Sequence, residues 1–168
     1  MVYIWKLKMK ECFIGGTIVN NLASRDKIAA IKEIIHKAPV FSRVKDPRKI
    51  KEAVINREKM HSTGLGHGVA IAHGETEEVD NLTITLGISP GGIDFDAYDK
   101  APAKLIFIIT HPPGMCSEYL IALAAITRVV RDNIFRNALQ GCCSSGEAEK
   151  MICDAFKSAL KKYRLPAA

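Results

Sequence analysis

The chain has 168 residues, 48% hydrophobic and 25% charged, with a formal net charge of +6. This is the size and composition of one globular domain able to bury a core, and no apolar run approaches the ~20 residues of a membrane span. The five cysteines (Cys12, Cys116, Cys142, Cys143, Cys153) form no C-x-x-C pair, which argues against a disulfide framework and a thiolate zinc site. Residues 1–60 carry 14 Lys/Arg against 6 Asp/Glu, and residues 61–100 carry 1 against 7. The basic residues are scattered along predicted helices without a nucleic-acid-binding motif or aromatic platform, so a solvated basic face is the stronger reading. Met1 to Lys10 lacks the apolar core and cleavage site of a signal peptide, and a cytoplasmic protein is expected.

Cys12 to Val19 reads as a strand broken by Gly15-Gly16. Ser24 is the expected N-cap of a first helix whose apolar stripe is Ile28, Ile31, Ile34 and Ile35, with Pro39 beyond its end. Asp46-Pro47 starts a second helix, with Asp at the cap and Pro at the first helical position. It runs toward Met60, buries Ile50, Ala53 and Val54, and carries Arg57 in its last turns.

The stretch that follows is the most informative. Arg57 to Gly74 reads R-E-K-M-H-S-T-G-L-G-H-G-V-A-I-A-H-G. Glycines let backbone N–H groups approach a ligand, and hydroxyls beside them suit an anion. Val69 to Ala72 reads as a buried strand that delivers His73 to its end. A tight surface turn with incidental histidines is the competing reading.

Downstream, Glu75, Glu77, Glu78 and Asp80 read as a solvated turn. Asn81 to Ser89 alternates like a half-buried strand, Ser89-Pro90-Gly91-Gly92 like a turn, and Lys104 to Thr110 like a second apolar strand. His111-Pro112-Pro113-Gly114 is a stiff loop. A long helix from Cys116 or Ser117 places Leu120, Leu123, Ala124, Thr127 and Val130 on one face. Asp132 caps a short helix that Gly141 stops, and Ser144-x-x-Glu147 is a capping box for a last helix with Met151, Ala155, Phe156 and Leu160 inward. Strands between helices make the chain α/β, a single sheet with helices on both sides.

The Arg57–Gly74 stretch resembles the active-site segment of the mannitol/fructose-type enzyme IIA domains of the bacterial phosphotransferase system, including the nitrogen-regulatory branch. Their pattern is R-E-x-x-x-S-T-G-[IL]-G-x-G-[IV]-A-[IV]-P-H-[GA]. Arg57, Glu58, Ser62, Thr63, Gly64, Gly66, Gly68, Ala70, Ile71, His73 and Gly74 match it, as do Phe95, Asp96, Ala97, Asp99 and Pro102 in a later F-D-A-x-D segment. The resemblance covers about residues 20–160 of what reads as one domain over 1–168, and implies a mixed sheet of about five strands.

It further implies that His73 accepts a phosphoryl group from a histidine-containing, HPr-like phosphocarrier protein. An enzyme IIB or a regulated protein is the next partner. Arg57 would stabilise charge, while Ser62, Thr63, Gly64, Gly66, His67 and Gly68 would line the phosphoryl site. No cofactor or metal is implied. An imidazole offers a neutral nitrogen near neutrality, and phosphoryl transfer asks mainly for positioning and fixed charge.

Three positions depart from the family pattern. Ala72 replaces a proline and His67 an asparagine. Tyr119 stands where many members carry a second, supporting histidine. Tyr119 itself, His67 and His111 are the candidates to support His73. The alternatives are a non-catalytic regulatory module of the same fold, in which phosphorylation of His73 only switches partner affinity, and a degenerate interaction domain that carries no phosphate. His61, His67 and His73, spaced by six, raise a zinc reading, but the spacing fits no standard motif.

Overall fold

A computed structural model describes residues 16–161. Five strands form one mixed sheet: β1 (Ile18–Val19), β2 (Gly64–Gly66), β3 (Val69–Glu75), β4 (Thr83–Ile93) and β5 (Ala103–His111). Their spatial order is β1-β4-β5-β3-β2. The β1/β4 and β3/β5 pairs are parallel, and β4/β5 and β2/β3 antiparallel. Helices α1 (Lys27–Lys37) and α2 (Pro47–Met60) cover one face; α3 (Cys116–Val130), α4 (Asn133–Gln140) and α5 (Ser145–Leu160) lie on the other.

The alternation of the central strands feeds two cores. Val69, Ile71, Leu105, Phe107 and Ile109 meet Ala122, Ala125, Ile126, Ile152 and Phe156 on the α3/α5 side. Ala70, Ala72, Ile106 and Ile108 meet Ile31, Ile34, Ile50 and Val54 on the α1/α2 side. β5 is apolar on both faces because helices cover both.

Local caps set most helix starts. Asp46 accepts from Arg48 N with Pro47 behind it, Asp132 accepts from Ile134 N, and Ser144 accepts from Glu147 N. α1 begins differently from the expectation. Asp26, not Ser24, is its N-cap, accepting from Ala29 N at 2.8 Å. The Ser24 hydroxyl instead donates to Glu33. The strand expected over Cys12–Val19 is Ile18–Val19 where described, and its earlier part lies outside the described residues.

Two further expectations change. β4 does not stop at Ser89 but continues to Ile93, and the Pro90-Gly91-Gly92 segment is a bulge inside it. Ile88 pairs with Leu105 and Ile93 with Ala103, so β4 carries three more residues than β5 between those pairs. A Gly92 φ of +73° absorbs the bend. On α3, of the five residues expected inward, only Val130 is fully buried. Ala122, Ala125 and Ile126 complete the packed face, and Leu120 is 55% exposed. The helix is apolar nearly all round, so periodicity could not choose a face. The alanines won because they let the helix lie close to the sheet. Among the described residues no helix is long and apolar enough to cross a membrane.

Candidate functional site

β2 is short. It pairs with β3 only at Val69 and Ala70, helped by one Ile71 N–H to Thr63 O bond of 3.0 Å. Beyond that point the outer side of β3 carries no strand among the described residues, and His73 sits there. The strand does not end at His73, as the sequence suggested. It runs to Glu75, because β5 keeps pairing with it as far as His111.

His73 follows Val69 and Ile71 by twos, so its side chain projects on the α3 side of the sheet. Its ring lies 5.1 Å, centroid to centroid, from Tyr119 in the first turn of α3. Tyr119 in turn stacks on buried His111, at 5.0 Å and 25°. Tyr119 thus lies between two imidazoles. His111 Nδ1 is 3.0 Å from Pro112 O and 4.0 Å from a Glu75 carboxylate oxygen.

His73 Nδ1 lies 3.1 Å from Ile71 O. A carbonyl only accepts, so Nδ1 carries the proton and Nε2 keeps its lone pair. Burial is the main cause holding the ring below the usual histidine pKa; the Ile71 bond opposes it, and the Arg57 charge pushes it down further. The ring is therefore a neutral nucleophile at neutral pH. The same Arg57 charge acts on Tyr119, whose phenol is nonetheless raised by burial.

Arg57 lies on the last turn of α2 and donates from Nη1 to His61 O at 3.0 Å. Gly74 lets α2 pack directly on β3: a Cβ there would lie 2.8 Å from Val54 N. Ser62 and Thr63 both lie at the His73 end of the β2/β3 pair. Their hydroxyl protons are committed within the protein, Ser62 to Phe95 O and Thr63 to Glu58. Gly64 closes against Phe95 O and Ala97.

Gly66, His67 and Gly68 form the β2–β3 turn at the opposite end of β3. His67 has a φ of +54°, and its N–H bonds Asp99 at 2.7 Å. Four strand residues, Val69–Ala72, lie between that turn and His73, and the strand rises about 13 Å from Val69 to His73. Of the two histidines expected to support His73, the fold brings His111 and leaves His67 away. Among the described residues no group of three His, Cys, Asp or Glu side chains is placed to hold a metal.

Glu58, Lys27 and Asp96 also meet here, and sequence reasoning gave them no role. Glu58 and Asp96 fell on matched pattern positions, which was the available signal. Lys27 offered none.

Residues 13–154 match the family described as phosphoenolpyruvate-dependent sugar phosphotransferase system, EIIA 2. The chain belongs to this family. A fructose-specific EIIA component of Haloferax volcanii is 35% identical over 131 residues, covering 78% of this chain and 85% of the relative. A fructose-specific EIIABC component of Bacillus subtilis is 34% identical over 149 residues, but the chain, 88% of it aligned, spans only 23% of that protein's length. The crystal structure of nitrogen regulatory protein IIA-Ntr from Neisseria meningitidis superposes with a TM-score of 0.77 at 28% identity, covering 86% of this chain and 98% of that one. This EIIA 2 domain thus resembles both sugar-specific and nitrogen-regulatory relatives.

Proposed function

We propose that this EIIA domain is a phosphocarrier that receives a phosphoryl group on His73 Nε2 from a phosphohistidine carrier protein. It then passes the group to an enzyme IIB or uses it to alter affinity for a regulated protein. The observation that carries this is the pinned His73 ring: Nδ1 on the Ile71 carbonyl, Nε2 unprotonated, and the Arg57 charge near enough to depress its pKa.

In the transfer, the Nε2 lone pair forms the N–P bond. The donor's N–P bond breaks, and the donor imidazole leaves with that electron pair. His73 then holds phosphorus on Nε2 and a proton on Nδ1, so the ring is cationic and the Ile71 carbonyl faces its N–H. Arg57 supplies fixed charge for the phosphoryl oxygens. Segment 61–64 walls the site. Tyr119 places a phenol where a second imidazole would bring a titrating cation, and His111 braces it from behind.

The test is phosphorylation by phosphoenolpyruvate, enzyme I and the phosphocarrier protein, read by intact mass and by an alkali-stable, acid-labile label. The wild type gains one phosphoryl group and His73→Ala gains none. Absence of label on folded wild type would refute the carrier reading and leave an interaction module, the alternative that Tyr119 favours.

A further inference from the structure

Beside segment 61–63 lies a charge network that the transfer itself does not touch, made of buried Glu58, half-buried Lys27 and exposed Asp96. Glu58 is the one carboxylate among the described residues that is fully buried. A carboxylate taken out of water is costly unless paired and hydrogen-bonded, and Glu58 is both. Its Oε2 accepts Thr63 N–H at 3.1 Å and the Thr63 hydroxyl. Its Oε1 lies 3.2 Å from Lys27 Nζ, at the first residue of α1. Lys27 Nζ also bonds Asp96 Oδ2 at 2.6 Å. Asp96 follows Phe95, whose carbonyl takes the Ser62 hydroxyl.

These contacts close a ring: Lys27 to Glu58, Glu58 to Thr63, Thr63 to Ser62, Ser62 to Phe95, and Asp96 back to Lys27. Lys27 joins the α2 anchor to the Phe95–Asp96 anchor from outside the segment that both of them hold. The segment held between them, 61–63, also supplies the His61 carbonyl on which the Arg57 guanidinium hangs.

We propose that Lys27 is a positioning residue for phosphoryl transfer at His73. This rests on the phosphocarrier reading above. Lys27 does not touch the reacting atoms. It locks segment 61–63, and through His61 O it fixes where the Arg57 charge meets the transferring group. Phosphoryl transfer depends on fixed charge more than on covalent help, so a looser segment slows chemistry and leaves donor docking unchanged.

The test compares the full chain as wild type, Lys27→Met, Lys27→Arg and the double variant Lys27→Met/Glu58→Gln. The double variant removes the unpaired buried charge that could unfold Lys27→Met. Thermal unfolding fixes a temperature at which all four are folded. Transfer from the phosphorylated carrier protein is then measured as kcat and KM. Labelling by phosphoramidate, a small donor that needs no docking surface, is followed by mass in parallel.

Lys27→Met and the double variant lower kcat and the phosphoramidate rate about tenfold, with KM within about twofold. Lys27→Arg restores most of the rate. Equal rates per folded molecule in wild type and Lys27→Met would overturn the proposal, as would a Lys27→Arg as slow as Lys27→Met. If the carrier protein does not label wild type, the phosphocarrier reading fails by itself. The phosphoramidate comparison then decides the positioning role, and no His73 label from either donor overturns both.

Discussion

Replacing Gly64 with alanine tests whether segment 61–64 is held by close packing. An added Cβ would lie 2.8 Å from Phe95 O and 3.0 Å from both Cα and Cβ of Ala97. Phe95 and Ala97 are themselves buried and cannot yield. Ordinary contact distance requires the gap to open by about 0.6 Å. The Ser62–Phe95 hydrogen bond is short enough to survive that shift. Overpacking therefore sets the cost, and the variant should be about 1–3 kcal/mol less stable. Displacement of the loop that supports Arg57 should also slow labelling of His73, by about tenfold to a hundredfold. Urea unfolding followed by circular dichroism reads the first effect, and phosphoryl transfer the second. Gly146→Ala is the control, since a Cβ there meets nothing within 4 Å and the position is helical and exposed. It should be neutral or gain about 0.5–1 kcal/mol. A Gly64→Ala protein that unfolds at the wild-type midpoint and labels at the wild-type rate would refute the reasoning.

Two further outcomes follow from the charges. His73 sits below its ordinary value of 6.5, chiefly through burial. The folded protein then keeps the ring neutral at a pH where the unfolded chain is protonated. This contribution to stability is present above pH 6.5 and lost as pH falls through the folded pKa. A ring NMR titration should give a His73 midpoint below 6.5, and one above it would contradict the buried, Arg57-facing geometry. Glu33 resists ionisation through burial, but Lys37, the Ser24 hydroxyl and the Ala23 and Ser24 N–H groups outweigh this and hold its carboxyl at about 2. Glu33→Gln should lose about 2–3 kcal/mol at pH 7. The deficit should shrink as pH falls from 4.5 toward 2, and a deficit independent of pH in urea melts would show that the charge is not what stabilises.

The sequence by itself determined much of this protein. The eleven matched positions between Arg57 and Gly74 carried the family, and the family carried the sheet. Asp46-Pro47, Asp132 and Ser144 stated their helix starts, because a cap is a contact between residues two or three apart. Tertiary structure decided the rest. Which face of α3 is buried depended on what it packs against, since Leu120 and Ala122 are both apolar. Pro90-Gly91-Gly92 reads as a turn locally and becomes a bulge because β5 keeps pairing on both sides of it. His67 and His111 are each plausible partners for His73 by sequence. Only the parallel pairing of β3 with β5 and the packing of α3 bring His111 to Tyr119, while the β2–β3 turn carries His67 to the opposite end of the strand. Lys27 lies 31 residues before Glu58 and 69 before Asp96. No local pattern encodes such a meeting, because it exists only once two helices and a strand connection have packed together.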